Sequence, residues 1–245
     1  PIEDAPENTP AAFRLAWQQG ADGIEGDFRL TRDGHIVCIH DDHTRRTSGV
    51  RRIVADSTLA QLRELDVGSW KDGRWTGERI PTFDEVLELL PPGKTLWLEI
   101  KCGPEIVSRI KTILRARQFG PERIVVIAFD PRVVETSKRE LPEVTANLLL
   151  SFVQDSIGGR WMPSAEEAAA TALRAGADGV SFQNHAAVDA DFVRAIRSQG
   201  LSPHVWTVND VATARRFARQ GICSITTNCP GALREGLRVS FAKSG

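Results

Sequence analysis

The chain has 245 residues, 41% of them hydrophobic, enough to bury one large core and close to the length of a single (β/α)8 barrel, about 250 residues. Lys plus Arg number 31 against 32 Asp plus Glu, so no net field favours nucleic acid; the short basic run Arg45, Arg46, Arg51, Arg52 reads as a solvated loop, with attraction of an anionic substrate as the alternative. No apolar run approaches the roughly 18 residues of a membrane helix and no charged, then apolar leader opens the chain, which predicts a soluble, cytoplasmic protein unless a signal is lost upstream of Pro1.

Pro1 to Asn8 is a short loop. Thr9 to Gln19 is a helix with a Thr cap, Pro10 in its first turn and Gly20 at its end. Gly23 to Leu30 and His35 to His40 are strands joined at Asp33-Gly34, a hairpin turn signal. Thr44 to Pro92 forms a polar excursion with helices at Leu59 to Leu65 and Thr82 to Leu90. It follows a strand end and lacks a core of its own, so it is expected to be an insertion over a barrel mouth within one domain spanning 1–245.

From Thr95 onward, short apolar strands alternate with amphipathic helices, the pattern of a parallel sheet with crossover helices. The strands are Thr95 to Lys101, Ile124 to Phe129, Thr145 to Leu150, Gly179 to Phe182, His204 to Val208 and Ser224 to Thr227. Helices include Pro104 to Arg117, Ala165 to Ala175, Asp189 to Gln199 and Val211 to Gln220, with closing glycines at Gly120, Gly176, Gly200 and Gly221. With Gly23 to Leu30 this makes seven core strands, one short of a TIM (β/α)8 barrel, and the missing strand should come first. Cys38, Cys102, Cys223 and Cys229 form no CxxC pair, three of them lie within or next to apolar strand-like segments, and they are expected to be reduced, buried thiols.

Glu25 and Asp27 stand two apart on a strand and therefore share a face. Two such carboxylates turned inward repel each other unless a cation or a shared proton lies between them, and a metal is the simpler account. Glu99 and Lys101 interrupt a later apolar strand, and His40-Asp41 closes the hairpin. The plainer readings are an outward, solvated face for the acids and a structural pairing of His40 with Asp41. His35, His185 and His204 are taken as structural or exposed, with His43 a minor candidate beside His40.

Pro6-Glu7-Asn8-Thr9, Gly20 to Asp27, Thr31-Arg32-Asp33-Gly34 to His40-Asp41, Arg46-Thr47, Ile80-Pro81-Thr82, Glu99-Ile100-Lys101 and Val205 to Asn209 together closely resemble the glycerophosphodiester phosphodiesterase family, over nearly the whole chain. The resemblance implies a TIM barrel hydrolysing glycerophosphodiesters to glycerol 3-phosphate and an alcohol. It implies one divalent cation on Glu25, Asp27 and Glu99, His40 as general acid/base, Lys101 beside the phosphate and Trp206 in the substrate wall. An oxygen-only donor set suits Mg²⁺ or Ca²⁺. Glu7 is expected either to orient a catalytic group or to hold loop amides.

The family's His-Arg-Gly motif should fall just before Pro1, which leads us to expect a longer parent. Its Thr-Asp before a Pro reads here Thr227-Asn228-Cys229-Pro230, a change confined to a loop contact. Two alternatives follow. One is a non-catalytic barrel binding glycerophosphodiesters or another anion. The other is a phosphodiesterase for lysophospholipids, which needs an apolar entrance for which the excursion offers Trp70, Trp75 and Ile80; Phe83 would cap the pocket or pack beneath it. The expected partner is a small phosphodiester, with no nucleic acid and no stable membrane insertion; the oligomeric state is left open.

Overall fold

The computed structural model describes residues 4–156 and 159–241; Pro1, Ile2 and Glu3 of the predicted first loop lie outside them. The chain forms two compact units, Pro1–Val125 and Val126–Gly245.

In the first unit, α1 (Pro10–Gln18) begins where expected: Thr9 Oγ1 accepts from the Ala12 amide and donates to the Pro6 carbonyl at 2.7 Å. Strand β1 (Gly23–Leu30) turns at Asp33-Gly34 into β2 (Ile36–Cys38), and Gly34 takes the positive φ, 79°, that the turn requires. The excursion holds α2 (Arg45–Ser48), α3 (Leu59–Arg63) and α4 (Phe83–Glu88), the last two opened by reciprocal capping boxes, Thr58 with Gln61 and Thr82 with Glu85. Its apolar residues Val54, Leu62, Val67 and Ile80 cluster with Val37 and Ile39 of the hairpin segment. The excursion thus shares a core with the hairpin.

Strand β3 (Thr95–Ile100) lies parallel to β1, with Asp27 opposite Glu99. Phe28 of β1 and Phe83 of α4, both fully buried, meet edge to face with centroids 5.5 Å apart. Each such side chain contributes about 1.5–3 kcal/mol by leaving water, so β1 is anchored on the face opposite its acids. Helix α5 (Ile106–Ala116) follows. Gly120, expected to close it, has φ −63°; the left-handed residue is Gln118, at φ 50°, because the turn comes one residue after the helix cap Arg117.

Strand β4 (Ile124–Ala128) straddles the division between the units. The second unit continues with α6 (Pro131–Glu140), β5 (Thr145–Leu150), the two-residue hairpin strands β6 (Val153–Gln154) and β7 (Trp161–Met162), and α7 (Ala165–Arg174). It closes with β8 (Gly179–Gln183), α8 (Ala190–Ser198), β9 (Ser202–Trp206), α9 (Val211–Gln220), β10 (Ser224–Ile225) and α10 (Pro230–Phe241). Strands β5, β8, β9 and β10 pair in that order, all parallel. Gly176, Gly200 and Gly221 take the positive φ expected of helix-closing glycines. Strand β9 begins two residues earlier than expected because Ser202 and Pro203 pair with Gly179 and Val180 of β8; Pro203, which lacks an amide to donate, still accepts through its carbonyl from the Cys223 amide.

The succession of single strands and crossover helices is α/β, of the TIM-barrel class, and β1 is its first strand among the described residues. All four cysteines are free, but only Cys38 is buried; Cys223 is exposed, since it precedes its strand. Among the described residues no helix is long and apolar enough to cross a membrane.

Candidate active site

Alternation along β1 puts Glu25 and Asp27 on one face, and the register with β3 adds Glu99 beside Asp27. One oxygen from each carboxylate lies within 4.8 Å of the other two. Gly26 lies between the acids on the opposite face, where an added Cβ would meet Cys38 Sγ at 3.0 Å and the rings of Phe28 and Phe13 at 3.2 and 3.3 Å. A side chain there would have to push Cys38, Phe28 and Phe13 back by a few tenths of an ångström behind the acids.

Asn8 orders this cluster from the N-terminal loop. Its Nδ2 donates to Asp27 Oδ2 at 2.8 Å, and its Oδ1 accepts from the Asp27 amide at 3.0 Å. Lys101 Nζ donates to Glu99 Oε1 at 2.7 Å and stands 3.5 Å from Asp27 Oδ1. Glu25 Oε1 is sealed from solvent with no hydrogen-bond partner. Burial, then the charges of Asp27 and Glu99, hold the Glu25 carboxyl well above the usual carboxylate range. Burial and Asp27 also raise Glu99, and its bond to Lys101 does not offset them. For Lys101 burial pulls downward most strongly, yet Glu99, Asp27 and Glu25 together lift the ammonium above its ordinary value.

His40 follows β2. Its Nδ1 lies 2.8 Å from Asp41 Oδ1 and its Nε2 3.3 Å from Lys101 Nζ. Arg29, the next residue on the acid-bearing face of β1, donates to the His40 carbonyl from Nε and Nη2 and to the Lys101 carbonyl from Nη1, at 2.8 to 3.0 Å. Glu7 receives a forked pair of bonds from Arg46, which also binds Asp41. Hydrogen bonds from Arg46, then His40, bring Asp41 down to about 2. Arg46 is therefore paired although it lies in an exposed run, and Arg52 is likewise paired, with Glu64, while Arg45 and Arg51 are exposed.

Glu25, Asp27, Glu99, Lys101 and His40 thus come together, with Glu7 tied in through Arg46. Trp206 belongs to the second unit, where its half-buried ring meets Phe129 edge-on at 5.7 Å and its Nε1 donates to the Ser181 carbonyl. Sequence reasoning missed Asn8 and Arg29 as individual participants; only the Pro-Glu-Asn-Thr motif pointed toward Asn8. His43 Nδ1 is buried without a partner, and His185 stacks on Phe152. Of the residues expected at an apolar entrance, Ile80 is buried in the excursion's core, as is Phe83 against Phe28, while Trp75 donates to the Asp4 carbonyl and Trp70 is exposed. In the second unit Asn209 Oδ1 accepts from Thr227 Oγ1 and the Asn228 amide, fixing the loop whose sequence departs from the family pattern.

The acidic donors fit a hard divalent cation: they are oxygen only, mutually repelling, and include one buried oxygen that lacks any donor. Strand-borne carboxylates with an adjoining ammonium and a carboxylate-held imidazole, on a fold of the TIM-barrel class, equip a hydrolase of anionic esters.

The comparisons make this specific. The model of the "Glycerophosphoryl diester phosphodiesterase family" matches residues 3–232, and the chain belongs to that family. It is 32% identical over 236 residues to a glycerophosphodiester phosphodiesterase of Caldanaerobacter subterraneus, covering 94% of this chain and 92% of that protein. Among solved structures it is similar to an Oleispira antarctica phosphodiesterase in complex with the product sn-glycerol-3-phosphate, at 27% identity and a TM-score of 0.84, covering 96% of this chain and 92% of that one. A glycerophosphodiester phosphodiesterase of Agrobacterium tumefaciens gives 25% identity and a TM-score of 0.76, with 95% and 94% covered. The chain is accordingly an enzyme, a phosphoric diester hydrolase.

Proposed function

We propose that this enzyme hydrolyses glycerophosphodiesters to glycerol 3-phosphate and an alcohol, and that it does so with one divalent cation, Mg²⁺ or Ca²⁺, held by Glu25, Asp27 and Glu99. The observation that carries the reading is the convergence of these three carboxylates, with Glu25 Oε1 buried and lacking a donor. When bound, the cation supplies Lewis-acid polarisation and charge neutralisation.

The remaining work falls to this chain's own residues. Lys101, already 2.7 Å from Glu99, sets a second fixed positive charge beside a phosphodiester's nonbridging oxygens. Asp41 keeps Nδ1 of His40 engaged, so that Nε2 is the atom that takes up or delivers a proton. Trp206, at the C-terminal end of β9 in the second unit, is the residue to which the family resemblance assigns substrate contact.

The test is release of glycerol 3-phosphate from glycerophosphocholine, followed with chelator and after adding back Mg²⁺ or Ca²⁺. His40→Ala should lower turnover by about 10²–10⁴-fold, the usual range for one general acid/base, with calorimetric metal affinity unchanged, whereas Glu99→Gln should weaken metal binding itself. Turnover indifferent to chelator, or retained in His40→Ala, would overturn the assignment.

A further inference from the structure

The basic run at Arg45 to Arg52 contains one guanidinium that is bound on three of its nitrogens. Arg46 donates from Nη1 and Nη2 to the two oxygens of Glu7, at 2.8 and 2.6 Å, and from Nε and Nη2 to the two oxygens of Asp41, at 2.9 and 3.1 Å. A planar fork that satisfies two carboxylates at once fixes direction in a way a lysine cannot. The backbone beneath it is also fixed. Buried Thr44 donates to the Val50 carbonyl at 2.6 Å and accepts from the Arg52 amide, Ser48 Oγ bonds the Thr44 carbonyl, and Gly49, at φ 74°, ends the single turn of α2.

We infer that Arg46 is a positioning residue: it holds the Asp41 carboxylate against Nδ1 of His40, so that the imidazole stays in the tautomer protonated at Nδ1, with Nε2 bare and facing Lys101. The inference rests on the role proposed above for His40. Among the described residues, the side-chain bonds to the Asp41 carboxylate come from His40 and Arg46. Asp41 is the neighbour of His40 in sequence, and rotation about its Cα–Cβ bond alone would carry its carboxylate away from the ring. Arg46 prevents that rotation by binding both oxygens.

Arg46 is held in turn from its far side by Glu7, and Glu7 adjoins Asn8, which bonds Asp27. One loop therefore reaches the acidic cluster through Asn8 and the imidazole through Glu7, Arg46 and Asp41, and fixes the two relative to each other. A mere staple between surface loops would not need to end on the carboxylate that orients His40, and a half-exposed ion pair of this kind contributes little stability in water.

The experiment compares the parent with Arg46→Gln, Arg46→Ala and Glu7→Gln, using glycerophosphocholine and Mg²⁺. Arg46→Gln should lower kcat by about 10–10²-fold, the scale of a misplaced catalytic group, with KM and calorimetric metal affinity within about twofold of the parent. Added guanidinium ion should restore part of the kcat of Arg46→Ala and leave the parent unaffected. Imidazole ¹⁵N–¹H correlation spectra of His40 at about pH 8, where a free imidazole is neutral, should show protonation at Nδ1 in the parent and a tautomer mixture in Arg46→Gln.

Parental kcat in Arg46→Gln, or a lowered kcat with the His40 ring pattern unchanged, would overturn the inference. If Arg46→Gln does not fold, Glu7→Gln decides, since it frees the far side of the guanidinium while leaving Arg46 in place: an unchanged ring pattern and kcat there would also overturn it. A parent without turnover would defeat the proposed function alone, because the ring spectra still decide whether Arg46 sets the tautomer.

Discussion

At Glu25 a carboxylate oxygen sits buried against two other acids with no donor to satisfy it. Without a cation this arrangement opposes folding, because the carboxyl must either carry a charge that burial and two neighbouring acids disfavour or take up a proton to lose it. Glu25→Gln removes that charge. In chelator it should melt at or above the parent's temperature. Mg²⁺ at a hundred times the parent's Kd should stabilise the parent by about 2.7 kcal/mol and the variant far less. Thermal melts with and without Mg²⁺ check this, and equal cation-induced shifts would remove Glu25 from the donor set. The acids were legible in the sequence because two charges at a spacing of two in an apolar strand have few explanations. Arg46 belonged to a motif of the family resemblance, but its partners were not legible: a charge in a basic run looks the same whether it faces water or carboxylates five and thirty-nine positions away.

Elements with one clear apolar face, such as α1, β1, β3 and α9, were found near their true bounds. The two-residue strands β6 and β7 were missed because so short a pairing leaves no periodicity, and four-residue α2 is held by Thr44 and Gly49 rather than by a pattern. The strands also carry buried polar groups, and β9 offers a test. His204 packs out of solvent with Nδ1 2.8 Å from Ser224 Oγ of β10, and burial lowers it to about 4. The folded state thus favours the neutral ring. Above an unfolded value near 6.5 that preference is fully present as stability; as pH falls toward 4 the unfolded chain takes up a proton that the folded one refuses. The loss is at most about 3 kcal/mol, from roughly 1.36 kcal/mol per pH unit. Urea titrations between about pH 7 and pH 4 should show this loss, and His204→Gln should lessen it. An unchanged pH slope in the variant would show that other groups set the acid limit.

On the scale of the whole molecule, acids and bases nearly cancel, with a net charge of −1. On the function proposed above, an anionic phosphodiester is then drawn by groups in the site, Lys101 above all, and not by a field reaching beyond a Debye length of about 10 Å at 0.1 M salt. Accordingly, kcat/KM for glycerophosphoglycerol should change by less than about threefold as ionic strength rises from about 0.02 to 0.5 M. A steady fall of tenfold or more would reveal a long-range basic surface that the totals conceal.

Strand β1 has one more consequence. Glu25, Asp27 and Arg29 all leave it on the same side, and its partner β3 presents Glu99 only in the observed alignment. Sliding one strand past the other by a single residue would turn all three side chains to the opposite face at once. The site is consequently inherited whole or lost whole. Damage to the packing behind β1, at Ile24 or Phe28, would lower the number of competent molecules in a preparation while each survivor worked at full speed.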